Sequence, residues 1–251
     1  MKESSLFLHS SEFKSQLVKL LTIIFAFCSI MYELLLAQSL SSTMGNTILR
    51  YNMTIGLYVA AMGFGAIIYS KLDHVFKDAV FIKVESMLAI FGLLAPFLVL
   101  MFDSVMFKSS QKFGIHFYSG IIQWPIFFFN HALIIIIGFL SGYELPMLMD
   151  LFKKFSTKSS MQILAVDYVG TLLGALCFPL LILPYFSLFK IGCVIAMTNI
   201  FFTMFYIRFF TWKKGLVKYL LFLMLSFLFI GGEVVGLYSF EKLVMNNFYY
   251  R

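Results

Sequence analysis

Five acidic residues lie within or at the edges of long apolar runs of this 251-residue chain: Glu33, Glu85, Glu144, Asp167 and Glu233. No Lys or Arg lies deep in those runs to neutralise them. A carboxylate among apolar side chains without a countercharge must carry a proton or meet a cation from solution. The pattern therefore predicts binding sites for a proton, a sodium ion or an organic amine. The alternative is that these acids only hydrogen-bond neighbouring helices and stabilise the fold.

Other kinds of site chemistry have no support in the spacing of residues. The histidines are dispersed along the chain and form no HExxH-type pair: His9, His74, His116 and His131. The cysteines all lie inside apolar runs and have no paired spacing: Cys28, Cys177 and Cys193. We therefore expect no catalytic residue, no metal site and no cofactor in this chain.

The composition defines the class of protein in which the acids must function. The chain is 61% apolar and only 12% charged, whereas soluble domains have about 25% charged residues. A protein with so few charged residues cannot form a soluble surface. The sequence therefore predicts an all-α polytopic membrane bundle in a lipid bilayer. A net charge of +7 forms neither a basic stripe nor a known motif, so binding to nucleic acid is not expected.

Apolar runs separated by polar breaks predict about seven membrane-spanning helices. They are 17–40, 53–69, 84–102, 121–140 (extending to 145 if Glu144 is included), 161–183, 188–207 and 215–237. Residues 1–16 are then an N-terminal tail, residues 17–239 the membrane domain and residues 240–251 a C-terminal tail. Pro179 and Pro184 are expected to kink or end the fifth span.

Basic residues predict the orientation in the membrane. If the N-terminus is cytoplasmic, thirteen of the 19 Lys and Arg residues lie on the cytoplasmic side. The positive-inside rule favours this arrangement. We expect a multi-pass protein of the inner (cell) membrane with a cytoplasmic N-terminus, and seven spans place the C-terminus outside.

Two stretches of the chain resemble each other. The sequence Tyr-Glu-Leu at 32–34 recurs at 143–145, and each copy is followed by a polar loop and a helix containing glycine. Residues 17–102 and 121–207 then form a three-plus-three inverted repeat with one extra helix, an arrangement typical of transporters. The alternative is a chance match between helices of biased composition.

Glycines at four-residue spacing let helix backbones approach closely in membrane proteins. Two such pairs are Gly138 with Gly142 and Gly170 with Gly174, and Gly63 and Gly65 lie close together in the second span. All six are predicted to serve helix packing.

Several ordered signatures are similar to a known family. They are the run 32–47 that begins with Tyr-Glu-Leu, Val84-Glu85, the run 141–146 (Ser-Gly-Tyr-Glu-Leu-Pro), and the run 165–170 that leads on to Pro179 and Pro184. Together they resemble the membrane-spanning N-terminal region of spermidine synthase-like (polyamine aminopropyltransferase-like) proteins, over roughly residues 17–184. The resemblance implies a polar turn containing Gln38 and Asn46 between the first two helices.

The same resemblance implies a soluble domain after the helices, one that binds decarboxylated S-adenosylmethionine and an amine. Residues 240–251 look like the lead-in to that domain, whose catalytic motifs do not occur in this chain. Whether this chain belongs to an enzyme therefore stays open at this point.

Three functions remain open from the sequence alone. The first is a membrane module that anchors a synthase-like domain or partner and passes a polyamine or another cation along Glu33, Glu85, Glu144, Asp167 and Glu233. The second is an independent secondary transporter of a cationic or proton-coupled solute. The third is a scaffold subunit that transports nothing.

Overall fold

A computed structural model describes the backbone of residues 2–43, 47–72, 77–112 and 120–211. Side chains are described for residues 11–42, 48–72, 77–102 and 128–211. The predicted span 215–237, Glu233, Asn46 and the tail 240–251 lie outside these ranges.

The described part of the chain consists of helices joined by short connections and contains no strand. Its helices are α1 (Lys2–Thr43), α2 (Thr47–Lys71), α3 (Asp78–Lys112), α4 (Gly120–Lys153), α5 (Met161–Cys177) and α6 (Leu188–Tyr206). Short π-helical turns extend α5 through Phe178–Ile182 and α6 through Ile207–Thr211. All six helices are long and apolar enough to cross a membrane, which confirms the helical fold class for the first six predicted spans.

Several helices are longer than the apolar runs predicted. The second begins at Thr47 instead of Met53, and the fourth runs on to Lys153. Hydropathy identifies only the apolar part of a helix. The predicted spans are therefore too short where polar residues continue the helical hydrogen bonds at the ends. Pro179 lies in the π-helical turn after α5, and the chain leaves the helix before Ser187.

Each helix has one main neighbour: α1 packs on α5, α2 on α4 and α3 on α6. Helix α1 also touches α2, α3, α4 and α6, so it lies at the centre of the bundle. Aromatic rings fill the core where α1, α3 and α6 meet. The ring centroids of Phe25 and Phe81 are 5.6 Å apart, and those of Phe81 and Tyr206 are 4.8 Å apart.

Glycines bring α2 and α4 into backbone contact. A methyl group on Gly142 would overlap the backbone of Met62, and one on Gly138 would overlap that of Tyr58. Gly65 faces the backbone of α4 in the same way. Residue numbers rise together along both helices, so α2 and α4 run parallel.

The α1–α5 pair follows the same principle. A methyl group on Gly170 would overlap Ile23, and one on Gly174 would overlap Ile30. These two helices are therefore also parallel. Gly63 differs from the other five glycines, because a methyl group there would meet nothing within 4 Å. Close packing does not require glycine at that position.

Candidate functional site

Three of the predicted acids, Glu33, Glu144 and Asp167, line one cavity of about 290 Å³. The cavity lies between α1, α2, α4 and α5, whose close pairing through the glycines fixes its walls. Its volume is at the lower end of the range for small-molecule pockets. The structure thus brings together residues that are separated by up to 134 positions in the chain.

The position of Asp167 along the bundle follows from the contacts between α1 and α5. Gly170 lies opposite Ile23 and Ala26 of α1. Asp167, three residues earlier on a parallel helix, is therefore level with residues 21–22. Glu33 lies eleven to twelve residues further along α1, an axial rise of about 17 Å at 1.5 Å per residue.

Glu144 lies between these two levels. The hydroxyl oxygen of Tyr58 is 3.2 Å from Ser29 Oγ and 2.7 Å from Ser141 Oγ, so these two serines are at the same height. Because α4 is antiparallel to α1, Glu144 lies one turn from Ser141 on the side of Asp167. Its carboxylate is close enough to that of Asp167 for the two charges to interact. The three acids thus lie in the order Glu33, Glu144, Asp167 along the bundle.

None of these three carboxylates has a hydrogen-bond donor or a cationic partner within the described ranges. Glu33 is only 6% exposed and Glu144 only 4%, yet both line the cavity. No Lys, Arg or His is found among the described residues of the cavity wall. The cavity therefore holds three carboxyl groups that no cationic side chain of its described wall neutralises.

Uncharged polar groups add acceptors to the same wall. Tyr58 donates to the carbonyl oxygen of Ser29 at 3.1 Å, and this contact ties α2 to α1 at mid-cavity. Pro146 has no backbone N–H, so the carbonyl of Gly142 lacks its usual helical donor. Both Gly142 and Pro146 line the cavity. Oxygen acceptors beside carboxylates are the environment that an ammonium group requires.

Glu85 lies elsewhere, in the core between α3 and α6. It is fully buried, and its Oε2 accepts a hydrogen bond of 2.9 Å from Asn199 Nδ2. The other carboxylate oxygen, Oε1, and the amide oxygen of Asn199 have no donor in the described chain. Glu85 interacts electrostatically with Glu144 but does not line the cavity.

The predicted polar-turn residue Gln38 does not line the cavity. Gln38 lies inside α1, which continues to Thr43. The prediction that Gln38 belongs to a polar turn is therefore wrong. The hydroxyl groups of Ser39, Ser41 and Ser42 donate to backbone carbonyls of the helix itself. Glu233 and Asn46 are outside the described residues.

The sequence analysis did not identify the other polar side chains that lie near the acids. Asn199, Tyr58, Ser29 and Ser141 all lie within apolar runs, as the acids do. Polar side chains inside apolar spans are expected to bond to one another, so their positions were the available signal. Which of them meet could not be read from the sequence.

The chain is similar over most of its length to proteins named polyamine aminopropyltransferase. It is 32% identical to polyamine aminopropyltransferase 1 of Streptomyces coelicolor over 69% of this chain and 30% of that protein. It is 29% identical to a polyamine aminopropyltransferase of Leptospira interrogans over 71% of this chain and 32% of that protein. The chain thus spans about a third of the length of the curated relatives it matches. No family model matches it, and no solved structure does.

These similarities correct the functional hypotheses drawn from the sequence. Several proteins named polyamine aminopropyltransferase match most of this chain, and none of these names describes a membrane anchor or a transporter. The predicted anchoring and cation-passing module, the independent transporter and the non-transporting scaffold are therefore wrong. The resemblance to spermidine synthase-like proteins is confirmed at the level of these homologues.

Proposed function

We propose that this chain is part of a polyamine aminopropyltransferase and that its cavity binds the cationic amine of that reaction. The observation that carries the proposal is the set of three unpartnered carboxylates, Glu33, Glu144 and Asp167, around one cavity. The names of the relatives supply the chemistry, since an aminopropyl transfer uses and produces positively charged amines.

The energetics favour a bound cation over an empty cavity. A charged side chain at the centre of a bilayer costs about 2.5–3.5 kcal/mol even on insertion scales. Aliphatic amines ionise like the lysine side chain, with a pKa of about 10.4, and are therefore positive at neutral pH. An ammonium beside Glu144 and Asp167 offsets the cost of burying both carboxylates and relieves their mutual repulsion.

A location in the inner (cell) membrane is part of the proposal. It is supported by six helices long and apolar enough to cross a bilayer. The positive-inside count places the N-terminus in the cytoplasm, with the loop at Lys154 and Lys158 on the same side. Asp167 then lies toward the cytoplasmic face and Glu33 toward the outer face.

We also propose that α1–α3 and α4–α6 form an inverted repeat. The pairing of helices supports it: exchanging the halves converts the α1–α5 pair into α4–α2 and leaves α3–α6 unchanged. Glu33 and Glu144 occupy equivalent positions in the two copies, which explains why both reach one cavity.

Binding of amines to the intact protein in lipid nanodiscs tests the site. We expect spermidine binding by calorimetry, with affinity reduced at least about tenfold in Glu144→Gln, a loss of about 1.4 kcal/mol. Asp150→Asn is the matched control. Asp150 is on the same helix, but it pairs with Lys153 at 3.0 Å and Tyr69 at 2.9 Å outside the cavity. Equal affinity in the wild-type protein and in Glu144→Gln would contradict the site.

The synthase part of the proposal has its own test. The full gene product, expressed in a bacterium that lacks spermidine synthase, is expected to produce spermidine from its diamine precursor. Cells that express it in membranes and still contain no spermidine would contradict that part.

A further inference from the structure

The cavity holds its three carboxylates in a line rather than in a cluster. Glu144 and Asp167 form an interacting pair, whereas Glu33 lies on the far side of the Ser29–Tyr58–Ser141 contact. From Glu33 to the level of Asp167 the axial rise is about 17 Å. From this arrangement we infer that the cavity selects a linear triamine over a diamine.

This inference rests on the proposed function and specifies its ligand. A diamine of four carbons carries two positive charges, so it leaves one of the three carboxylates Glu33, Glu144 and Asp167 without a countercharge. A linear triamine is nearly twice as long, so it can neutralise the pair and Glu33 at once. A buried carboxylate without a countercharge is costly in an apolar surrounding.

The wall between the acids suits the hydrocarbon part of such a ligand. Ala26 and Ile30 of α1, Met62 of α2 and Leu145 and Met149 of α4 line the cavity. Methylene groups between ammonium groups need apolar contact of this kind, and flexible methionines adapt to a narrow alkyl chain. Alternating anionic and apolar surface therefore complements a chain of alternating amines and methylenes.

The selection has a direct meaning for an aminopropyl transfer. The product of that reaction carries one more amine than its acceptor. A cavity that requires three positive charges in line distinguishes the product from the acceptor. Glu33 is then the specificity-determining residue. The Glu144–Asp167 pair binds an ammonium group of either amine.

Competition binding to the intact protein in nanodiscs tests the inference. Labelled spermidine is displaced by unlabelled spermidine, by putrescine and by spermidine acetylated on one terminal amine. We expect spermidine to bind at least about tenfold more tightly than either competitor. Glu33→Gln is expected to lower spermidine affinity to the putrescine level and to leave putrescine affinity unchanged, whereas Glu144→Gln weakens both amines.

The outcomes separate this inference from the proposed function. If spermidine and putrescine bind equally, and Glu33→Gln changes neither affinity, the selection of triamines is refuted while amine binding stands. If neither amine binds to wild-type protein, the proposed site and this inference are both refuted. Asp150→Asn, which leaves the cavity wall intact, should bind both amines as the wild-type protein does.

Discussion

At the scale of single residues, the buried acids divide into two kinds according to their partners. Glu33, Glu144 and Asp167 face a cavity without a fixed partner, whereas Glu85 has Asn199. The sequence predicted that acids in apolar spans would matter, because acids there are rare and costly. It could not assign Glu85 to the core, since its partner lies 114 residues away on α6.

The pair of Glu85 and Asn199 predicts a contrast between two variants. In Glu85→Gln the new amide can accept from Asn199 Nδ2 and donate to Asn199 Oδ1, which satisfies both groups. We expect unchanged or higher thermal stability in nanodiscs. Asn199→Leu removes the one hydrogen-bond donor that the described residues offer to the fully buried carboxyl group of Glu85, and it should cost about 1–3 kcal/mol. A larger loss in Glu85→Gln than in Asn199→Leu would contradict this account of the pair.

At the scale of helices, glycines position the cavity wall by letting α2 meet α4 and α1 meet α5. The four-residue spacings of Gly138–Gly142 and Gly170–Gly174 predicted contact surfaces, and the structure places neighbours against all four. Which helix each pair would meet could not be predicted, because spacing defines a face and not its partner. Helix ends were missed where polar residues continue the helix.

Two glycines that differ in their surroundings provide a matched test. In Gly142→Ala the new methyl group overlaps the backbone of Met62, which cannot move without shifting a helix. We expect a loss of about 1–3 kcal/mol in stability, the usual cost of overpacking. Gly63 lies on α2, where an added methyl group would meet open space. The Gly63→Ala variant should therefore fold as the wild-type protein does. Equal thermal stability of the two variants would show that the α2–α4 contact is not close.

At the scale of the whole molecule, an apolar helical bundle holds a line of three carboxyl groups in its interior. Composition and hydropathy were enough to predict the all-α bundle and its first six spans. The length of each apolar run is the signal, because a helix must be about 20 residues long to cross a bilayer. The cavity itself depends on how four helices meet in three dimensions, which no local pattern determines. In the inverted repeat that we propose, Glu33 and Glu144 occupy equivalent positions.

Photo-crosslinking with a diazirine derivative of spermidine tests the central claim most directly, because it reports where the amine lies in the intact protein. The account predicts labelling of cavity residues such as Met62, Met149 and Tyr168. Excess spermidine should abolish that labelling, and so should Glu144→Gln but not Asp150→Asn. Labelling confined to residues outside the cavity, or unaffected by excess spermidine, would contradict it.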